Sequence, residues 1–542
     1  MLTGTKGLDT AEGVRRWPAS IRRLAWPAAV AIGVVILFCW ALRVAGAIAA
    51  ESDGGGNELQ AWAMLHGNLL LHGWVVSDVS FYTTELPEYM LVVAAWGLRP
   101  EVIHICAALT YTLLVIGAAL VARGQARGRA GVARAAIAVA IMLGPQLATG
   151  PRVIPAQMYL SDPDHTGTAL PVLVALLLID RGGRRRWVPV AVAAVLAWAL
   201  VGDPLVLLAG IIPLLLVGGV RSFLQVAYRR VPLAAAWYEL SLTAAAVVAA
   251  VGGEAMTHLI RALGGYTVNA NPTKILPSKY LPTDLVGGVK AFLDLYSADF
   301  FGARAGPGLV IYGIHLIAAI AVLVAILAGL VLLVRGDDLV APLLAVGIVV
   351  NVAAYVLLYQ ASAGHYWEIA PVFALGAALA GRLLADPLLR LRLDLVIVAG
   401  VAAAVFTAVP PLLIATQEAP EGVNLASWLE QHDLRQGIAG YWQTDIVTVE
   451  SGGQVTMHPV QNNYHGPGLQ VYPWETDLTA FNPSTNDANF VVATAPHSFF
   501  GGTVTVAEAE AKFGKPARTY HFEQYTILVW QKNLLTELTH NS

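Results

Sequence analysis

"GLVIYGIHLIAAIAVLVAILAGLVLLV" (308–334) carries no Asp, Glu, Lys or Arg over its whole length. Wound as an α-helix at about 1.5 Å per residue, it is long enough to cross the roughly 30 Å hydrocarbon layer of a bilayer. Only a membrane-spanning helix accounts for such a run. The whole chain agrees: of 542 residues, 57% are apolar and 13% charged, where a soluble domain carries about 25% charged residues. A net charge of −3 argues against a nucleic-acid partner. The two cysteines, Cys39 and Cys106, fall in apolar stretches and suggest no structural disulfide.

Working outward, further apolar runs lie near 25–49, 102–122, 132–149, 167–180, 187–201, 204–220, 232–252, 339–360, 367–384 and 394–415. The expected fold is a polytopic α-helical membrane protein with about eleven spans. The first run is too long for a signal-peptide core and reads as a retained anchor. Around Asp203–Pro204 the pattern fits either two short helices meeting at a turn or one broken element.

Basic residues set the orientation. The segments 1–24, 123–134, 181–186, 221–230, Arg335 and 382–392 together hold 20 Lys and Arg, whereas 51–101, 150–166 and 253–307, with Arg43, hold eight. Alternate loops agree, which predicts a cytoplasmic N-terminal segment (1–24). A transmembrane domain (25–416) with outer loops 51–101, 150–166 and 253–307 follows. An extracytoplasmic α/β domain (417–542) ends the chain. In that domain "LASWLEQHDL" (425–434) has helical spacing, while "NFVVATA" (489–495) and "YTILVWQ" (525–531) read as strands. The expected location is the plasma (inner) membrane.

The predicted outer segments carry the candidate chemistry. Between Glu51 and Glu101 seven acidic residues stand against one Arg. Glu58–His66 reads as an amphipathic surface helix, with Gly54–Gly56 as its flexible lead-in. Glu51 and Asp53, just past a span, can deprotonate an acceptor hydroxyl or hold a divalent cation, or they are simply solvated charges. In "SDPDH" (161–165), Asp162, Asp164 and His165 can share one cation such as Mg²⁺ or Mn²⁺. Alternatively, Asp164 caps the next helix. Lys274 and Lys279 can meet an anionic phosphate or be ordinary surface lysines. "GHYWEIAPVFALG" (364–376) sets His365, Tyr366, Trp367 and Glu368 at a span mouth, as an interface belt or a lipid headgroup contact.

Taken in order, these features resemble the GT-C class of membrane glycosyltransferases. That class includes protein O-mannosyltransferases, aminoarabinose transferases and oligosaccharyltransferases. "NELQAWAMLHGN" (57–68) is similar to the helix that follows the catalytic acid, which places Asp53, or Glu51, near that acid. "LPEYMLVVAAWGLRPEVIHICAALTY" (86–111) is similar to the family's proline-led short helix, glycine turn and second span. "DPDH" (162–165) resembles the second acidic motif of oligosaccharyltransferases. "HYWEIAPVFALGAALAGRL" (365–383) resembles the late span. Two departures stand out: an adjacent Asp-Glu pair is absent from the first loop, and His365-Tyr366 replaces a frequent Arg-Tyr.

The resemblance implies a glycosyltransferase that moves a sugar from a polyprenyl-phosphate donor to an extracytoplasmic glycan, lipid or protein. Asp53 (or Glu51) would be the catalytic carboxylate. Asp162, Asp164 and His165 would hold the acceptor or a Mg²⁺ or Mn²⁺ ion, with Asp162 and Asp164 as metal ligands. His365, Tyr366, Lys274 and Lys279 would face the lipid phosphate. The C-terminal domain would recognise the acceptor, with Tyr441 and Trp442 stacking on sugar rings or serving as core. A transporter or flippase, and a non-catalytic scaffold, are the rival readings. The spans hold few polar residues beyond Glu239 and Asn351, which counts against a transporter.

Overall fold

The computed structural model describes residues 19–146, 155–230, 232–269, 275–301, 306, 308–358, 366–414, 422–462, 468–495 and 503–538. Each apolar run noted above coincides with a helix. Seven helices are long and apolar enough to cross a membrane: Trp26–Ala45, Glu101–Arg123, Leu207–Tyr228, Leu233–Ala262, Gly308–Arg335, Val340–Leu358 and Tyr366–Arg390. Leu86–Trp96, Trp187–Gly202 and Asp394–Pro410 are apolar but shorter. The chain is thus a multi-pass membrane protein, though only seven of the roughly eleven expected spans meet that length among the described residues. Exposed leucine, isoleucine and valine side chains on Gly308–Arg335 mark its lipid-facing side.

The Asp203–Pro204 ambiguity resolves into two helices. Trp187–Gly202 ends at Asp203, whose backbone is extended (φ −148°), as a residue before proline prefers. Its Oδ1 accepts the Leu205 N–H at 2.8 Å and starts the next helix.

Polar groups gather at two ends of the bundle. At one end, Arg382 is buried against Asp180 and Asp338, each 2.6 Å away, and donates to the Val121 carbonyl at 2.9 Å. Glu239, buried, pairs with Arg184 at 2.5 Å, so its place near a span end is satisfied by a cation. The opposite end carries the first polar segment and the C-terminal domain.

Among the described residues, nine strands make two sheets: β1 (Trp74–Val76), β2 (Thr267–Val268), β3 (Gln436–Ala439), β4 (Thr456–Asn462), β5 (Leu469–Val471), β6 (Thr476–Asp477), β7 (Phe490–Ala493), β8 (Arg518–Phe522) and β9 (Tyr525–Val529). The larger sheet runs β5-β4-β3-β7-β9-β8, with β3 parallel to β4 and β7. Alternation along its strands supplies two cores. Phe490, Val492 and Ile527 face the helices Val423–Gln431 and Asp445–Glu450, and Val491 and Leu528 face Val506–Phe513. This is the expected α/β domain.

The first of those cores continues into Ala50, Ala61, Tyr89, Val93, Ile103 and Cys106. The C-terminal domain is therefore seated on the first polar segment by a shared apolar core. The smaller sheet stitches them further: β1 pairs in parallel with β2 and antiparallel with β6.

Replacing Arg382 with Leu leaves Asp180 and Asp338 without their shared cation. The expected loss is about 3–5 kcal/mol of stability, read as a lowered thermal unfolding midpoint in detergent. Arg382→Lys should recover only part of it, because an ammonium cannot fork between two carboxylates.

Candidate functional site

The site begins where the first span hands over to helix Ser52–Leu65. Glu51 is its N-cap in extended backbone (φ −132°), and its side chain makes no cap. Asp53 lies in the first turn, where free backbone N–H groups favour negative charge. Gly54–Gly56 do not lead into this helix; they are inside it. Each is placed by a close contact. A Cβ on Gly54 would meet Ile103 at 2.6 Å, and one on Gly55 would meet the Asp445–Ile446 backbone at 3.1 Å. One on Gly56 would overlap the Glu475 carboxyl and reach its Cβ at 2.9 Å. The helix is correspondingly buried, from Ser52 through Glu58, Gln60, Ala61 and Met64. It is a packed element beneath the C-terminal domain rather than the amphipathic surface helix expected from 58–66.

That packing brings two distant residues to Asp53. Ser52 Oγ donates to the Tyr441 carbonyl at 2.9 Å. Tyr441 Oη lies 2.6 Å from Asp53 Oδ1 and 2.6 Å from Glu475 Oε2. Burial raises the Asp53 carboxyl to about 7, helped by the charges of Asp162 and Asp78 and opposed by the Tyr441 hydrogen bond. Burial pushes Glu475 well above the usual carboxylate range, as do the charges of Asp53, Asp445 and Asp164.

The second acidic motif faces the same place. Asp162 is buried and accepts from Ser161 Oγ at 2.7 Å. Asp164 caps nothing; His165 precedes the short turn Thr166–Thr168, and no side chain caps it. His165 is held in a left-handed conformation (φ 54°), uncommon away from glycine. Its Nδ1 lies 2.9 Å from Asp203 Oδ2, which also accepts from Thr168 Oγ1, and its Nε2 is 3.8 Å from Asp164 Oδ1. Burial favours the neutral imidazole, but the Asp203 and Asp164 carboxylates outweigh it and hold His165 well above its usual range. Glu85 accepts the Gly167 N–H at 3.1 Å, and burial lifts its carboxyl to about 8.

One group here is spaced for a metal. Ligand atoms of Asp78, His165 and Glu368 all lie within 4.8 Å of one another. Asp203 fixes His165 through Nδ1, so that loss of the Nε2 proton would free that nitrogen for a cation, as outer-shell carboxylates do for metal-bound histidines. Two carboxylates and one imidazole suit a divalent cation such as Mn²⁺. Asp162 and Asp164, the ligands expected from the sequence, border this trio and are not among its members.

Of the expected residues, Asp53, Asp162, Asp164 and His165 come together, each within electrostatic reach of another. Lys279 is exposed, with Nζ 4.8 Å above the Tyr280 ring. Tyr366 is half-buried in the short turn Tyr366–Ile369 that also carries Glu368. Lys274 and His365 lie outside the described residues. Sequence reasoning passed over Asp78, Asp203 and Glu475 as site residues. Asp78 follows β1 by two residues and Glu475 directly precedes β6, so the small sheet sets both. An acid directly after the aromatic stretch "YPW" (472–474) was the available signal for Glu475.

No protein-family model matches the chain, and no characterised protein matches it by sequence. Its fold is shared with solved structures. The apo state of ArnT from Cupriavidus metallidurans superposes with a TM-score of 0.55 at 12% identity, covering 97% of this chain and 100% of that one. The same protein bound to undecaprenyl phosphate gives 0.52 at 12% identity, over 94% and 98%. The chain therefore shares the fold of these two structures over nearly its whole length.

Gly56→Ala should wedge the helix away from Glu475, costing about 1–3 kcal/mol and exposing the C-terminal domain junction to protease. Gly400→Ala, in a helix with open space around that position, should be neutral or stabilising by up to about 1 kcal/mol. Thermal unfolding of the two variants side by side is the measurement.

Proposed function

We propose that this chain transfers a sugar from a polyprenyl-phosphate donor to a hydroxyl acceptor at the extracytoplasmic membrane surface, with Asp53 as the base. The observation that carries this reading is Asp53 itself. It is a half-buried carboxyl whose proton affinity sits near neutral pH, within electrostatic reach of Asp78, a member of the group Asp78, His165 and Glu368. Such a group is matched to general-base work at pH 7. An ArnT-like fold, seen elsewhere with undecaprenyl phosphate bound, supports a lipid-linked donor.

An apolar groove of about 630 Å³ between helices Leu281–Leu295, Gly308–Arg335 and Val340–Leu358 is lined by Val289, Phe292, Leu316, Ile320 and Val352. It offers a prenyl tail a path along the bundle. The excess of basic residues in alternate loops supports placing the site outside, with the N-terminus cytoplasmic.

The reaction follows from these parts. The acceptor hydroxyl attacks the anomeric carbon, its proton passes to Asp53, and the bond from that carbon to the phosphate oxygen breaks. Polyprenyl phosphate leaves with the electron pair. Asp162 and Asp164 line the acceptor side and hold its other hydroxyls. Asp78, His165 and Glu368 would hold a divalent cation, which supplies charge to offset the departing phosphate. The C-terminal domain closes over the acceptor through Tyr441, whose buried ring (1% exposed) is a hydrogen-bonding wall rather than a stacking platform.

Asp53→Asn should cut transfer of radiolabelled sugar from a polyprenyl-phosphate donor by about 10²–10⁴-fold, with unchanged expression and melting. In the wild type, only ionised Asp53 accepts a proton, so activity should fall as pH drops below about 7. An Asp53→Asn enzyme as active as wild type contradicts the assignment. An alkaline phosphatase fused to the C-terminus should be active in cells, since that enzyme matures only outside the cytoplasm; an inactive fusion reverses the orientation.

A further inference from the structure

The Tyr441 hydroxyl touches two carboxyl groups, yet a phenol has one proton. It cannot donate to both Asp53 Oδ1 and Glu475 Oε2, each 2.6 Å away. Two carboxylates facing the same phenol oxygen would leave one contact with no proton in it. One of the two carboxyls must therefore be an acid that donates to Tyr441 Oη. The charges that raise the two carboxyls are those of Asp162 and Asp78 at Asp53, and of Asp445 and Asp164 at Glu475. All carry negative charge when ionised, so the field cannot support two anions there.

The two ends of the chain of hydrogen bonds differ. Asp53 sits in the first turn of a helix, where backbone N–H groups stabilise an anion, and it keeps an open side. Glu475 lies against Gly56, further along the same helix and past its first turn. It is buried (3% exposed) under Gly56, in a left-handed backbone (φ 48°) pinned by the pairing of Thr476 with Val75. Such an off-pattern conformation persists only where surrounding structure imposes it.

We propose that Glu475, carried by the C-terminal domain, is held as the protonated acid and donates to Tyr441 Oη, so that Tyr441 gives its single proton to Asp53 and fixes it as the carboxylate. Glu475 and Tyr441 are then positioning residues, and the C-terminal domain supplies half of the environment of the base. This rests on the assignment of Asp53 as that base. It adds a role for the domain beyond acceptor recognition: the base is oriented only when the domain is seated. The relay also has a fixed polarity, because reversing it would put the anion on the more deeply buried carboxyl.

The test uses the full-length protein in nanodiscs, with two readouts. Infrared difference spectra at pH 7, wild type minus Glu475→Gln, should show loss of a carboxylic-acid carbonyl band. Loss of a carboxylate band instead overturns the proposal. This arm needs no turnover, so it stands even if the chain transfers no sugar and the functional reading fails. In the transfer assay, Tyr441→Phe removes the hydrogen bond that favours ionised Asp53. Its acid limb should move up by about one unit. The amide of Glu475→Gln reproduces a neutral donor, so the acid limb of that variant should stay in place. A downward shift of a unit or more would mean that Glu475 had been ionised. A Tyr441→Phe protein that loses melting temperature while its acid limb stays fixed reduces that residue to a structural role and also overturns the relay.

Discussion

Three glycines in succession inside one helix let the segment after the first span lie against the backbone of a domain 389 residues further along the chain. Glycine in a helix interior costs about 1 kcal/mol relative to alanine, so the triplet is expensive locally. The shared apolar core of Ala50, Ala61, Ile103, Leu425, Ile446 and Phe490 offsets it. A Cβ would crowd the Asp445–Ile446 backbone at Gly55 and overlap Glu475 at Gly56. The approach of Tyr441 and Glu475 to Asp53 depends on the absence of that Cβ, and the small sheet of β2, β1 and β6 fixes its register.

The consequence is electrostatic. Asp53, Asp78, Asp162, Asp164, Glu85, Asp203, Glu368 and Glu475 converge on one end of the bundle, and the described cation among them is the His165 imidazolium. So much like charge at low dielectric is tolerated only if some carboxyls stay protonated or a cation enters. Glu85 and Asp53, raised to about 8 and about 7, show the first solution. The trio of Asp78, His165 and Glu368 is shaped for the second. A site poised between protons and a cation suits the lipid-phosphate donor proposed for it.

Much of this was legible in the sequence. Apolar runs located the helices because the bilayer leaves the backbone no other choice. The α/β character of the C-terminal domain followed from period-two strands such as 490–493 and 525–529. Asp53 and the 162–165 motif stood out because they flank spans. What stayed hidden was three-dimensional. The triplet Gly54–Gly56 reads locally as flexible, and only the partner backbone of Asp445 shows it to be a packing surface. Glu475 and Tyr441 belong to a domain whose seating on the first loop no local pattern encodes. Asp78 joins the metal-sized group through a three-residue strand, too short to be signalled by alternation. The expectation of a cation at Asp162 and Asp164 found the right neighbourhood, but the backbone turn at His165 hands the closest spacing to other residues.

The most direct test is a cryo-electron microscopy structure of the chain with undecaprenyl phosphate and Mn²⁺ added. The account predicts the phosphate beside Asp78, His165 and Glu368, the prenyl tail in the groove at Val289 and Phe292, and Asp53 facing the open acceptor side. A lipid bound at the opposite, arginine-lined end of the bundle, with the acidic pocket empty, would contradict it.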